Sequence, residues 1–207
     1  MNIDPIEVAI SFGILLLSLT IHEAAHAWTA DKLGDPTARA LGRVSLNPLV
    51  HVDWIGTVLL PLIAMVSRLP LIGWAKPVPV VLRNLRHPRR DFMLVAAAGP
   101  ISNLLQAVVC ALVLRVVWDP ETGPGLLALI LRQAMYINVL LAFFNLIPVP
   151  PLDGGNVLLG LLPRHLASAY SQVRQYGFII LYVLMFTGAA SAFIMPPTRF
   201  VMGLLLP

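Results

Sequence analysis

The sequence predicts an all-α polytopic membrane protein with about four transmembrane helices and a re-entrant hairpin or short extended segment. Of its 207 residues, 58% are hydrophobic and only 12% are charged, whereas about a quarter of the residues in ordinary globular proteins are charged. All four tryptophans lie at the ends of apolar stretches, where an interfacial aromatic belt would place them. Five such stretches are long enough to enter or cross a bilayer, at 8–28, 54–74, 92–118, 125–147 and 176–195.

Composition and charge exclude two other classes of protein. The net charge is +4, and the basic residues cluster between apolar stretches instead of lining a groove, so nucleic acid is not an expected partner. The single cysteine, Cys110, lies in an apolar stretch, which excludes an intrachain disulfide and a disulfide-rich secreted scaffold. The N-terminal residues lack the basic region of a cleaved signal peptide, so the first apolar stretch is predicted to be a retained span.

The distribution of basic residues predicts which connections lie in the cytoplasm. Six of them fall within 67–91 and three within 29–53, whereas the N terminus and the 119–124 turn carry only acidic residues. The positive-inside rule places both basic segments in the cytoplasm and the acidic ones outside. Because both flanks of 54–74 then lie on one side, that stretch should enter the membrane and return. Arg68 within it also disfavours a straight crossing.

The most specific motif is His22-Glu23-Ala24-Ala25-His26, an H-E-x-x-H sequence inside the first apolar stretch. On a helix, residues four positions apart share a face, so both imidazoles can bind one zinc ion while the glutamate acts as a general base. Ionisable residues inside a membrane-spanning helix are costly and are functional by default. Histidines that only cap or pair at a helix end are the alternative. The motif predicts a zinc site at bilayer depth.

A catalytic zinc site needs a third protein ligand, and the sequence offers three candidates. His51 and Asp53 follow the first apolar stretch, whereas Asp153 follows a proline-rich break at the end of the fourth. The predicted topology returns Asp153 to the cytoplasmic side, where His22 and His26 also lie, so Asp153 is the favoured ligand. We expect a turn or a supporting role for His51 and Asp53. The alternative for Asp153 is the N-cap of the next helix.

Together these motifs resemble the site-2 protease family of intramembrane zinc metalloproteases, most closely its compact, standalone bacterial members. One departure is Val81, where an asparagine is expected; it affects a loop and leaves the zinc ligands undisturbed. The resemblance extends over roughly residues 15–160. The motifs that carry it are H-E-A-A-H at 22–26, Gly34-Asp35-Pro36, Leu46-Asn47-Pro48, the 73–80 segment, Ala98-Gly99-Pro100-Ile101-Ser102-Asn103, and Leu152-Asp153-Gly154 with Asn145 upstream.

The resemblance implies a zinc metalloendopeptidase that hydrolyses peptide bonds within or near transmembrane segments of membrane proteins. It implies one zinc ion per chain, held by His22, His26 and Asp153, with Glu23 as the general base. The implied surroundings are the lipid bilayer of the cell membrane, with the active site toward the cytoplasmic side. The sequence specifies no oligomeric state.

Two asparagines are candidates for contact with the substrate or with a developing oxyanion, because an amide can donate to either. For Asn145 the resemblance places the residue near the site, and a polar tie between helices is the alternative. For Asn103, which follows Gly99 by one helical turn, packing between helices is the favoured role.

We expect a single integral-membrane metalloprotease domain over 1–207, with its core at 8–160 and an additional C-terminal helix at 174–195. A transmembrane substrate hides its carbonyl groups in internal hydrogen bonds, so it must unwind before cleavage. Proline and valine alternate in 76–80, which suits an extended edge that pairs with unwound substrate by strand addition. An ordinary proline-rich connector is the alternative.

Two other function classes compete with the protease. A transporter or proton relay could use intramembrane histidine and glutamate, but such proteins usually contain inverted repeats or more spans, and neither is visible in the sequence. A non-catalytic membrane scaffold would need no glutamate between two zinc-spaced histidines. Metal content separates these classes, since only the protease requires one zinc per chain.

Overall fold

All regular secondary structure among the described residues is helical. A computed structural model describes residues 5–60, 63, 75–118 and 124–206, and no β-strand occurs in these ranges. In chain order, the α-helices are α1 (Pro5–Lys32), α2 (Thr37–Ala40), α3 (Pro88–Val117), α4 (Leu126–Asn145), α5 (Asp153–Leu161), α6 (Arg164–Ser171), α7 (Gly177–Phe186) and α8 (Ala189–Leu205). Short turns of other helix types lie at Pro48–Val50, Trp54–Leu59, Leu82–Asn84 and Gln172–Tyr176.

Helices α1, α3 and α4 are each long and apolar enough to cross a membrane, and the bent region from α6 to α8 supplies a fourth candidate span. Only 28% of the residues in the most apolar window of each long helix are buried inside the protein. The remaining apolar side chains face outward, as they do where lipid is the solvent. The predicted all-α membrane protein with about four spans is therefore confirmed.

The re-entrant hairpin predicted at 54–74 lies largely outside the described residues, which exclude 61–62 and 64–74 and with them Arg68; residues 119–123 of the acidic turn are also excluded. The described part begins with a π-helical turn at Trp54–Leu59. The Asp53 carboxylate accepts hydrogen bonds from the first amides of this turn, at 3.0 and 2.7 Å. Asp53 thus caps the turn, in line with the turn role expected from the sequence.

Helix α3 is the central element of the fold, because it packs against α1, α4 and α5. Its buried face carries small residues, among them Ala96, Gly99 and Ala107, which allow the neighbouring helices to approach closely. Helix α1 also contacts α4. The three long helices therefore enclose a common interior, and the inner face of α1 looks directly onto α3.

The C-terminal region differs from the single helix expected at 174–195. Helix α7 ends at Phe186, and α8 begins at Ala189 after a sharp break, so that the helices on the two sides form an angle of 72°. Gly188 within the break has φ +79°, a left-handed conformation that commonly ends helices and that glycine adopts without steric cost. Helix α8 then packs against α4. Residues 174–195 thus belong to two helices with different directions.

Candidate metal centre

His22 and His26 lie one turn apart on the inner face of α1, and both side chains are buried. Their Nε2 atoms are 3.0 Å apart, as expected for residues at positions i and i+4 of a helix. Helix α3 passes directly beside them at Gly99, the position where a side chain would collide with both imidazole rings. Both histidines of the motif therefore face an interior formed by α1 and α3.

Asp153 reaches the same point from a different part of the chain. Three prolines follow the end of α4 and prevent that helix from continuing, and the chain turns before α5 begins at Asp153. The Asp153 Oδ2 atom lies 3.1 Å from His22 Nε2 and 3.3 Å from His26 Nε2. The structure therefore brings together the two histidines and the favoured third residue.

The local geometry of α5 shows how the carboxylate becomes available. The N-cap of α5 is Leu152, and no side-chain capping bond forms there, so Asp153 does not act as the helix cap that was its alternative role. Gly154 packs against the turn, since a Cβ atom there would lie 2.6 Å from the Ile147 carbonyl oxygen. The glycine after the aspartate is thus required for the close approach that places Asp153.

The outer ring nitrogens determine how the two imidazoles are protonated. The His22 Nδ1–H group donates to Asn103 Oδ1 at 2.5 Å, and the His26 Nδ1–H group donates to the Val95 carbonyl at 2.7 Å. A carbonyl oxygen can only accept, so each neutral imidazole carries its proton on Nδ1 and keeps a lone pair on Nε2. The two Nε2 atoms, each with a free lone pair, and one carboxylate oxygen therefore converge, and all three atoms lie within 4.8 Å of one another.

This set of donor atoms fits a zinc ion. Imidazole nitrogen and carboxylate oxygen are common zinc ligands, and three protein ligands leave a position open, as in catalytic sites. Without a cation, the converging atoms would repel one another, and Asp153 Oδ2 is buried without a hydrogen-bond donor among the described residues. Burial of an unpaired charge is costly. A bound divalent cation would remove the repulsion among the donor atoms and would pair the buried Asp153 carboxylate.

Asn103 lies behind His22 and is fully buried. Its Nδ2 donates to Asn138 Oδ1 at 2.8 Å, and Asn138 Nδ2 donates in turn to the Ala134 carbonyl at 3.0 Å. This chain of amides connects α3 and α4 to the imidazole and directs its Nε2 toward the centre, as partners of metal-binding histidines commonly do. Asn103 therefore supports His22. Because it is fully buried behind the imidazole, it does not make the substrate or oxyanion contact considered from the sequence.

The centre opens into a cavity of 740 Å³, within the range of ligand-binding pockets. Glu23 and Asn145 line this cavity together with the three converging residues, and most of the wall is apolar. His51 is not among the residues that line the cavity, and its Nε2 donates to the Ser45 carbonyl at 2.8 Å. Other wall residues come from α1, α3, α4, α7, α8 and the 75–80 segment, including Leu19, Val95, Phe144, Tyr182, Ile194, Pro77, Val78 and Val80.

One feature of the site went unpredicted, the support from Asn138, although the sequence contained a signal for it. A polar side chain within the apolar 125–147 stretch is unusual, because such residues are rare in spans and usually face a partner. The close approach at Gly99 agrees with the helix packing expected around Asn103. Gly99 lies one turn before Asn103, so the face of α3 that supports His22 must also approach α1 closely.

Gly99→Ala should lower zinc affinity by at least about tenfold. The added Cβ would lie 2.5 Å from His22 Cε1 and still closer to the Nε2 atoms of both histidines. The rings cannot turn away without breaking their Nδ1 bonds. Equilibrium competition with a zinc chelator measures the change. Gly13→Ala is the matched control, since a Cβ at Gly13 meets nothing within 4 Å. An unchanged affinity in Gly99→Ala would contradict the arrangement of the centre.

The fold and the donor set define a candidate metal centre built into membrane-spanning helices. Comparison with known proteins gives the class, a zinc metalloprotease. The model of Peptidase family M50 matches residues 123–188, the part that contains Asn145 and Asp153. No solved structure gave a significant match to the chain.

Curated relatives extend the match over most of the chain. "Putative zinc metalloprotease YwhC" of Bacillus subtilis (strain 168) is 38% identical over 190 residues, which cover 88% of this chain and 82% of the relative. "Putative zinc metalloprotease Rip2" of Mycolicibacterium smegmatis is 32% identical over 175 residues, covering 84% of this chain and 65% of the relative. "Zinc metalloprotease MJ0392" of Methanocaldococcus jannaschii is 27% identical over 158 residues, which cover 75% of this chain and 35% of the relative. The chain belongs to Peptidase family M50, the site-2 protease family.

Proposed function

We propose that this protein is an intramembrane zinc endopeptidase that hydrolyses peptide bonds within or near transmembrane segments of membrane-protein substrates. The observation that supports it best is the convergence of His22, His26 and Asp153 beside a cavity between apolar helices. In this proposal the three residues hold one zinc ion per chain, and Glu23 is the general base.

In the proposed reaction, Glu23 transfers protons, and His22 and His26 hold the metal in place. When bound, zinc supplies a Lewis acid that activates water and polarises the scissile carbonyl. Glu23 lines the cavity next to the ligands, where it takes a proton from the attacking water and returns it to the leaving amine. The Nδ1 bonds of His22 and His26 hold both Nε2 atoms toward the centre throughout.

Asn145 contributes an amide at the cavity wall. Its Nδ2 donates one hydrogen to the Leu141 carbonyl at 3.0 Å, and the amide group has a second hydrogen to offer. Because Asn145 shares the cavity with Glu23 and Asp153, this second donor is placed to bind a substrate backbone carbonyl or a developing oxyanion.

The shape and chemistry of the cavity support a transmembrane substrate. Its apolar wall suits apolar side chains, and Val78 and Val80 contribute to that wall from a segment that lies outside any helix. A substrate helix must unwind before its carbonyls become accessible. An extended segment with free backbone groups would stabilise the unwound form by strand addition.

The proposal also includes a single domain over 1–207, with the active site toward the cytoplasm. Segment 75–90 carries five basic residues and extends into the first turn of α3, so it belongs on the cytoplasmic side. The acidic 119–124 turn belongs outside. The cavity wall formed by the 75–80 segment would then lie toward the cytoplasmic half of the membrane.

Single-cysteine labelling of intact cells tests this orientation. In a Cys110→Ala background, Thr122→Cys should react with an impermeant maleimide from outside, and Arg83→Cys should react only after lysis. Arg83 is exposed, whereas the nearby Leu85 is only 4% exposed and would be shielded from the reagent. The Cys110→Ala protein without added cysteine is the control. Labelling of Arg83→Cys in intact cells would overturn the cytoplasmic orientation.

Cleavage of synthetic single-span peptides by the purified protein tests the activity itself. Mass spectrometry of the products should find cuts within or next to the apolar segment. A zinc chelator should abolish the cuts, and added zinc should restore them. A proton relay or transporter would leave every peptide intact, as would a membrane scaffold.

A further inference from the structure

Segment 75–81 forms part of the cavity wall, and residues that do not themselves line the cavity hold its first part. The Lys76 N–H group donates to the His51 carbonyl at 2.9 Å. The Lys76 carbonyl accepts from the Arg43 guanidinium, whose Nη2 is also 3.4 Å from the Pro77 carbonyl oxygen. Arg43 is buried. Both backbone groups of Lys76 are therefore fixed.

Asp35 holds the other end of the same segment. The side chain is fully buried, and its Oδ2 accepts from the Val81 N–H group at 2.6 Å. Its Oδ1 accepts from Asn84 Nδ2 at 2.9 Å and from the Thr37 hydroxyl and N–H group at 2.5 and 3.1 Å. Burial alone would raise the pKa of Asp35, but these four bonds hold it below its usual value, so the group is an ionised acceptor.

Between the two anchors, only two backbone N–H groups remain uncommitted. Pro77 and Pro79 have none, and Lys76 and Val81 use theirs in the anchors. The N–H groups of Val78 and Val80 donate to no acceptor within the described ranges. Both residues line the cavity that contains Glu23 and the converging ligands. The segment thus offers alternate donors next to the catalytic centre.

We propose that Asp35 and Arg43 are positioning residues for substrate, which fix segment 75–81 so that the Val78 and Val80 backbone pairs with an unwound substrate segment. The inference rests on the proposed protease function. Asp35 and Arg43 touch no substrate themselves, and their effect passes through the backbone that they hold. Fixing that backbone in advance reduces the ordering cost of substrate binding.

The binding of a fluorescently labelled single-span peptide tests this positioning role. Measured by anisotropy in a Glu23→Gln background, which leaves the peptide uncut, Asp35→Asn should raise its Kd at least about tenfold. The amide turns a donor toward one of the groups that the carboxylate accepts. Arg43→Lys should act in the same direction, since the shorter lysine side chain does not bring its ammonium to the position from which Arg43 Nη2 contacts the Lys76 and Pro77 carbonyls.

Asp31→Asn is the matched control, because it is the same substitution four positions earlier, in the last turn of α1. Asp31 pairs with Arg39 at 2.6 Å through both oxygens and makes no contact with 75–81 in the described structure. The Kd of the peptide should stay at the parent value in this variant. Zinc content should be the same in all variants.

Two further readouts separate positioning from general stability. With Glu23 intact, Asp35→Asn should raise KM while kcat stays within about threefold, the pattern of lost substrate binding. Amide hydrogen exchange should accelerate at Val81, whose N–H group bonds to Asp35 in the parent protein, and remain unchanged in 8–28. An unchanged Kd and KM despite faster exchange, or a loss of zinc or of kcat, would overturn the inference.

Failure of the two ideas can be told apart. If the Glu23-containing protein cleaves no peptide but Asp35→Asn still weakens peptide binding, the proposed activity fails and the positioning role stands. If the protein cleaves peptides and Asp35→Asn leaves both KM and Kd unchanged, the positioning role alone fails.

Discussion

Replacing Glu23 with glutamine should lower peptide cleavage by about 10²–10⁴-fold, the range attributed to general acid–base catalysis. The amide has nearly the same shape as the carboxylate but cannot accept a proton from the attacking water. Because Glu23 is not one of the three converging residues, zinc content should remain at the parent level. Product formation from a synthetic single-span peptide and zinc content by mass spectrometry measure both quantities.

Glu7→Gln provides the control for this experiment. Glu7 lies in the first turn of the same helix, is exposed, and is remote from the cavity wall, so its substitution should leave cleavage unchanged. Full cleavage by purified Glu23→Gln protein would remove Glu23 from the mechanism. The same variant in its native membrane should accumulate uncleaved substrates that mass spectrometry can identify.

The second large effect concerns the metal. His22→Ala, His26→Ala and Asp153→Ala should each remove most of the bound zinc and abolish cleavage, because a catalytic site usually has only three protein ligands. Each variant also relieves the repulsion among the three converging acceptors. The helical fold, monitored by circular dichroism, should therefore persist while metal content and activity fall together.

Control substitutions separate ligands from bystanders. His87→Ala changes an exposed histidine, and Asp53→Ala removes only the cap of the π-helical turn, so both variants should retain zinc. If Asp153→Ala kept its zinc and Asp53→Ala or His51→Ala lost it, the assignment of the third ligand would be wrong.

Much of the architecture could be predicted because it depends on short-range patterns. The spans follow from length and apolar composition, and the shared face of His22 and His26 follows from helical periodicity. The side on which Asp153 lies followed from counting basic residues and spans. These arguments need no knowledge of which helix contacts which, and the described structure agrees with them at α1, α3 and α4.

Contacts between distant parts of the chain could not be predicted in the same way. Asp35 bonds to the amide of Val81, 46 positions away, and no local pattern announces such a pairing. The support of His22 by Asn103 and Asn138 likewise depends on how α3 and α4 pack. The break at Gly188 was different, because a glycine after an apolar helix is a known helix terminator, and the apolar run of 176–195 obscured it.

X-ray absorption at the zinc edge of the purified protein tests the central claim most directly, that zinc is held by His22, His26 and Asp153. The predicted spectrum has a first shell of nitrogen and oxygen at about 2.0–2.2 Å, with scattering from two imidazoles and no sulfur shell near ~2.3 Å. The predicted content is one zinc per chain. A sulfur shell, a single imidazole, or a purified active protein without zinc would contradict the account.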